Sequence, residues 1–393
     1  MAYLKLVLTK YFFMRKLLLF LSFFTTLNQF AQKSSFVLHS SRMEEDREIT
    51  VILPPSYEKD LKKDFPVLVL LDGEYLLDPF QGALSFGAYW NDFPELIIVA
   101  VHQNKKGERY TDTQVNETTG LPQNKGGDFF EFIGQELLPE LDKKFRISPL
   151  RVIAGHDVTA AYINFFLYKE KPLFNGYICL SPELSSGMEK QIPQRLKAIT
   201  QPIFYYLSTA DGDLKKMQKR ILELDSTIKS NTSPTLNYKF DNIANATHYS
   251  LILYSIPEAI YQLFAIYQPI SQNEFTEKIA VLPSGYVDYL INKYDLIEKT
   301  LFIKMPIRYS DFKAIEVAII KNKAYDEMQQ LAVLALKTYP KSMLGDYELA
   351  LMFEKTQNYE KAVKFYKKAY QKEEIGDLTR DMMYNKMEEL KNQ

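Results

Sequence analysis

Cysteine is almost absent from this sequence. The single thiol, Cys179, lies in an apolar run, so neither an intrachain disulfide nor a cysteine metal cluster can form. An excess of one charge is missing as well: 25% of residues are charged and the formal net charge is −1. No field therefore recruits nucleic acid or an acidic membrane surface, and no nucleic-acid partner is expected. Histidine is scarce, with four in the chain. Neither His39 nor His102 has a carboxylate or second histidine at ligand spacing, so no metal site and no cofactor is predicted. What the chain does have is length and aromatic mass. Its 393 residues suffice for two domains, and 27 Tyr and 26 Phe support a sizeable core.

The longest apolar run near the start is Leu17–Leu27, short of the ~20 residues that span a bilayer. Arg15 and Lys16 precede it and "NQFAQ" follows, the layout of a secretory signal peptide. Met14 is the better start, cleavage is expected near Ala31, and the mature chain would be periplasmic or extracellular. An uncleaved anchor is the alternative. No cysteine follows the run, which argues against a lipoprotein anchor.

From 36 to 270, buried β-rich runs such as "FPVLVLLDG", "ELIIVAV", "LRVIAG" and "PIFYYLST" alternate with helical patterns such as "GGDFFEFIGQELLPELDKKF". Interleaving of this kind predicts an α/β fold, a mostly parallel sheet covered by helices on both faces. Sites in such sheets lie at the carboxyl ends of the strands. Residues 271–310 read as a linker with a first helix. Residues 311–393 read as a small all-α domain. Tyr325 and Tyr359 are 34 positions apart, as are Ala335 and Ala369. That period and "NYEKAVKFYKKAY" resemble tetratricopeptide helices, which offer a face for a protein or peptide partner. A generic α-hairpin cap is the alternative.

One stretch carries chemistry. "RVIAGHDVTAAY" has the form of a nucleophile elbow: a buried strand, a sharp turn and a helix that lift one side chain above the sheet. Asp157 stands at the apex. Downstream, Asp211 and Asp213 follow one strand and His248 follows the next, the acid-then-histidine order of a hydrolase triad. The landmarks "PVLVLLDGEYLLD", "IIVAVHQNKKGERYTD", "IAGHD", "FNGYICLSPEL" and "NATHYSL" occur in an order that resembles one family of α/β-hydrolases. It is the esterase D-like family, which includes siderophore esterases, feruloyl esterases and mycolyltransferases. The resemblance covers about 47–267. It implies an α/β-hydrolase fold, an ester-like small molecule as the ligand of the cleft, His248 as the base and Asp211 as the acid, with Asp213 the fallback. It further implies oxyanion donors at the Val158 N–H and one N–H of the loop Gly73–Glu74–Tyr75. Arg109 matches an arginine that could face the cleft, though a solvated loop position is equally open.

Where the family has a serine, this chain has Asp157, and two glycines after it are Thr159 and Ala160. Thr159 is expected to push strand and helix apart. Ser85 lacks a preceding buried strand, and Ser181 reads as a strand-end turn residue. The resemblance therefore implies a protein without serine-esterase activity, acting by binding or scaffolding. The alternative is a hydrolase that uses Asp157 itself as a carboxylate nucleophile, with His248 as base and Asp211 as acid.

Overall fold

The computed structural model describes residues 32–391. The signal peptide read at 1–31, with its cleavage near Ala31, lies outside the described residues. Among them, no helix is long and apolar enough to cross a membrane.

Eight strands form one sheet: β1 (Gln32–Ser40), β2 (Glu45–Leu53), β3 (Phe65–Leu70), β4 (Ile97–Val101), β5 (Ile147–His156), β6 (Gly176–Leu180), β7 (Ile203–Gly212) and β8 (Leu236–Thr247). Their order across the sheet is β1-β2-β4-β3-β5-β6-β7-β8. β1 pairs antiparallel with β2, and β2 antiparallel with β4; the other neighbours are parallel. The parallel part is buried on both faces, which explains its unbroken apolar runs. In β3, Leu68 and Leu70 join one core while Val67 and Val69 join the other. Side chains alternate across a strand, so a run without polar residues feeds two cores at once.

The helices are α1 (Gly73–Tyr89), α2 (Glu108–Asp112) and α3, which runs from Lys125–Glu131 through a π-helical turn, Phe132–Leu137, into Leu138–Lys144. Next come α4 (Val158–Tyr162), α5 (Met188–Ala198), α6 (Lys215–Ser230) and α7 (Leu251–Leu263). α1 and α7 cover one face, whereas α3 to α6 cover the other. Two features depart from the sequence reading. β1 is a strand that the sequence does not signal, because an edge strand with alternating exposed residues carries little apolar pattern. Gly73–Tyr75, expected as a loop, is the first turn of α1: the Tyr75 and Leu76 amides donate to the Asp72 carbonyl at 3.2 and 3.1 Å.

The C-terminal region consists of α8 (Tyr286–Leu301), α9 (Tyr309–Asn322), α10 (Met328–Thr338), α11 (Leu344–Lys355), α12 (Tyr359–Tyr370) and α13 (Arg380–Leu390). Ala335 in α10 and Ala369 in α12 are both fully buried, which is why small residues recur there. This region is not a bead on a flexible linker. Leu263 and Phe264 at the end of α7 share one core with Ile279, Tyr286 and Leu290. The helices thus pack at the C-terminal end of α7, whereas His248 precedes its N-terminal end, about 20 Å away at 1.5 Å per residue.

Candidate active site

The topology explains why residues far apart in sequence meet. Asp72 follows β3, Arg109 lies beyond β4, Asp157 follows β5, Ser181 follows β6, Asp213 follows β7 and His248 follows β8. All these parallel strands point the same way, so their ends converge on one edge. Three of those ends are strained. Asp157 has φ 61° and ψ −121°, Asp72 has φ 55°, and Ser181 has φ 43°. A non-glycine residue in such regions costs about 1–3 kcal/mol, and such strain clusters at functional sites.

The elbow is tight despite Thr159. A Cβ on Gly155 would lie 2.7 Å from the Thr159 hydroxyl, so the bare glycine one turn earlier supplies the room. Thr159 does not push strand and helix apart, contrary to expectation. It is fully buried, and its hydroxyl donates to an Asp72 carboxylate oxygen at 2.6 Å while accepting from the His156 amide at 2.9 Å. The Val158 N–H occupies the first position of α4, where no intrahelical acceptor exists.

His248 is held by Asp213, not Asp211. Its Nδ1 is 2.8 Å from the Asp213 carboxylate. Asp211 is exposed at the end of β7, where it accepts from Asn242 at 3.1 Å. The two are two residues apart, so alternation alone would not separate them: the β7–β8 register shifts between Ala210 and Gly212, the Asp213 amide turns back to the Ala210 carbonyl at 3.1 Å, and only Asp213 reaches His248. Burial pushes the Asp213 carboxyl up, but hydrogen bonds from His248, Ser181, Thr209 and the Leu214 amide outweigh it and hold it at about 2. Ser181 is therefore more than a turn residue. Its buried hydroxyl donates to Asp213 and lies 3.2 Å from His248 Nδ1, on the acid side of the ring rather than the nucleophile side. With Nδ1 engaged, Nε2 faces Asp157, 3.9 Å from Oδ1.

Arg109 ties the apex to the floor of the site. It is only 8% exposed, which excludes a solvated loop position. Its Nε donates to Asp72 at 2.6 Å, Nη1 to Asp157 Oδ2 at 3.1 Å, and Nη2 to the His156 carbonyl at 2.8 Å. Burial disfavours its charge, yet Asp72 beside it raises its affinity for the proton above the ordinary value. Burial likewise pushes the Asp72 carboxyl up, against the Arg109 charge and the hydrogen bonds it accepts from Arg109, Thr159 and Tyr75, all of them groups that can donate to a carboxylate. His156 is buried, with Nε2 3.0 Å from the His248 carbonyl and Nδ1 3.0 Å from the Tyr75 hydroxyl. The carbonyl can only accept, so Nε2 carries the proton. Burial, then the nearby His248, lowers this ring to about 4. It is neutral at pH 7.

Glu74 is held away from oxyanion work. Its carboxylate accepts from the Gln103 and Asn104 amides at 2.9 and 2.8 Å, which tie the β4 loop to α1. Burial raises its carboxyl, but bonds from His102 and Asn104 prevail and hold it at about 2. Of the expected donors, the Tyr75 amide is committed to Asp72, leaving Gly73 and Glu74 in the open first turn.

Above these residues lies an open cleft of about 470 Å³, lined by Glu74, Tyr75, Asn104, Arg109, Tyr110, His156, Asp157, Tyr249 and Ile252. No residue of the C-terminal helices lines it. Among the described residues, no group of three or more His, Cys, Asp or Glu could hold a metal ion.

Residues 40–188 match the model of the family described as Putative esterase. This segment is similar to that family over somewhat more than a third of the chain. The match ends in α5, so Asp213 and His248 lie beyond it and are placed by geometry. A solved structure of an uncharacterised protein from Capnocytophaga ochracea is 26% identical, with a TM-score of 0.81 over 92% of this chain and 100% of that one. The likeness therefore extends past the esterase domain into the helical region. An IroE-like serine hydrolase from Shewanella oneidensis is 20% identical, with a TM-score of 0.58 over 77% of this chain and 98% of that one, and shares the fold. No curated protein matches. The fold is that of the α/β-hydrolases.

Sequence reasoning missed Asp72, Ser181 and Tyr249 as site residues. Asp72 had a signal: it directly ends the apolar run "PVLVLL", and strand ends build the site. Tyr249 had its place beside His248. Ser181 had no signal beyond its strand end.

Proposed function

We propose that this chain is an esterase-fold binding protein that has lost serine-esterase chemistry and uses the former catalytic cleft to hold a small molecule. The observation that carries the reading is the ion pair of Asp157 with Arg109 at the apex of an otherwise intact elbow. A carboxylate there is a poor nucleophile toward an ester, because attack forms a mixed anhydride. Its charge competes with a developing oxyanion for the Val158 N–H. The guanidinium draws that charge further away from attack. Without a serine, the scaffold retains only the ~10³–10⁴-fold catalysis of oxyanion stabilisation and binding.

Hydrolysis of p-nitrophenyl acetate by the wild type and by Asp157→Ser tests this. The wild type should show no turnover that depends on Asp157, and the serine variant should gain turnover that His248→Ala removes. Recovery should be partial, since a serine hydroxyl is one bond shorter than a carboxylate and Oδ1 is already 3.9 Å from Nε2. Adding Thr159→Gly should not help, because the Thr159 hydroxyl supports Asp72. Wild-type ester turnover that Asp157→Asn abolishes would refute the reading.

The alternative, a carboxylate nucleophile, draws support from one observation: the His248–Asp213 pair is intact and Nε2 faces Asp157. Attack by Oδ1 on an alkyl carbon would break its bond to halide, released as the free ion, or to an epoxide oxygen, left as an alkoxide that takes a proton, and give an Asp157 ester for a His248-activated water to cleave. Against it, Val158 offers no side-chain donor for a leaving group, and Trp90 lies outside the cleft lining. An alkyl adduct on Asp157, trapped in His248→Ala with haloalkanes or epoxides and seen by mass spectrometry, would establish it.

A further inference from the structure

We infer that the ligand of this cleft is an organic ammonium ion, held by Asp157 and the tyrosine rings around it. This inference rests on the reading of the cleft as a binding site, and names what it binds.

Charge is the first ground. Asp72, Asp157, Asp213 and Glu74 put four carboxylates at the strand ends, against the Arg109 guanidinium and the His248 ring. His156 is neutral at pH 7. The surroundings are therefore negative even when His248 carries a proton. The lining holds no lysine.

Hydrogen bonding is the second. Asp157 Oδ2 is taken by Arg109, but among the described residues no donor lies within hydrogen-bond distance of Oδ1, and His248 Nε2 stands 3.9 Å from it. Asp157 also lines the cleft. A carboxylate oxygen turned to open space and lacking a donor is complementary to an N–H or to a diffuse positive charge. The guanidinium is not free for an anion, since each Arg109 nitrogen already serves Asp72, Asp157 or the His156 carbonyl; what is left for one are the neutral N–H groups of Val158, Gly73 and Glu74, beside the Asp157 charge.

The third ground is aromatic. Tyr75, Tyr110 and Tyr249 all border the cleft, and Tyr249 and Tyr110 are 76% and 66% exposed; Arg109 lies over the Tyr110 ring at 5.7 Å, so the Tyr249 ring is the more open of the two. The Tyr249 ring stands edge-on to His248, 5.0 Å between centroids. Ring faces beside a carboxylate are the arrangement that binds alkylammonium groups through cation–π attraction. The cavity, about 470 Å³, suits a small ligand of this class.

Isothermal titration of the full chain tests it with four probes of similar size: benzyltrimethylammonium, benzylammonium, benzyl alcohol and benzoate. Both cations should bind, benzyl alcohol at least tenfold more weakly, and benzoate not measurably. Asp157→Asn, nearly isosteric, should weaken the cations about tenfold or more. Tyr249→Ala, an exposed position remote from the core, should weaken them severalfold. Added salt should weaken the cations and leave the alcohol unchanged. Benzoate binding as tightly as the cations, or full cation affinity in both variants, overturns the inference. So does absence of binding by either cation to folded wild-type protein. A chain that binds no ammonium and cleaves no ester loses this inference and keeps the reading of a binding protein. Wild-type ester turnover that Asp157→Asn abolishes removes that reading whatever the titration shows.

Discussion

Replacing Arg109 with Met tests whether the charged floor of the cleft is one structural unit. Asp72 is completely buried, and Arg109 is the one cation that serves its carboxylate, beside the Thr159 and Tyr75 hydroxyls. Removing the guanidinium while keeping length and apolar bulk leaves a buried carboxylate with only neutral hydroxyl partners, Thr159 and Tyr75. Breaking one side of a buried pair costs about 3–5 kcal/mol. Part of that can be escaped by protonation, which gives the variant a signature. Without its arginine the Asp72 carboxyl rises further, so the native state holds a proton that the unfolded state has released above about pH 4. Stability of Arg109→Met should therefore fall as pH rises from 5 to 8, by up to about 1.4 kcal/mol per unit. Asp72→Asn with Arg109→Met removes both charges. It should cost clearly less than the sum of the single changes, with a coupling of about 2–3 kcal/mol, and show no such pH slope. Urea unfolding followed by circular dichroism at several pH values measures all three. A loss below about 1 kcal/mol for Arg109→Met, or additivity in the double variant, would refute the view that Asp72 depends on Arg109.

Glu348 is fully buried, and the group its carboxyl meets is another acid, Glu316; burial, then Glu316 beside it, pushes its carboxyl well above the usual range. The native state thus keeps a proton that the unfolded chain releases above about pH 4.5, so this group costs stability as pH rises. Glu348→Gln should stabilise the protein by about 1 kcal/mol or more at pH 8 and less at pH 5; an unchanged melting temperature at pH 8 would count against it. At the acid end, two groups act in sequence. His156, lowered to about 4, stays neutral while the unfolded ring takes a proton, so stability should decline from about pH 6.5 to 4. Asp213, held at about 2, contributes about 2 kcal/mol above pH 4 that is lost as pH falls towards 2. Asp213→Asn should flatten the lower limb and His156→Gln the upper one, and unfolding curves across pH 2–7 would show whether they do.

Much of the architecture was written in local pattern. Unbroken apolar runs of strand length can be buried only in a sheet covered on both faces, so β3 to β7 and their alternation with helices were legible, and so was the elbow with Asp157 at its apex. The period of 34 located small residues that pack between helices. Weak local signals were lost: β1 is an edge strand whose exposed residues carry no apolar pattern, and the first turn of α1 looks like a loop because Gly73 opens it. What the sequence could not decide was partnership. Asp211 and Asp213 are chemically identical and two residues apart, and only the turn at Gly212 selects the one that reaches His248. Thr159 looked like a steric fault, and the space beside Gly155 makes it a hydrogen-bonding post. Arg109 could have been a solvated loop residue, and its value comes from Asp72 and Asp157, brought to it from two other strands. The chain itself determines which side chains stand at strand ends, because burial and alternation are local. Which of them pair is decided by the parallel sheet, because hydrogen bonds and buried charges depend on ångström distances between residues as much as 92 positions apart in this site, as His156 and His248 are.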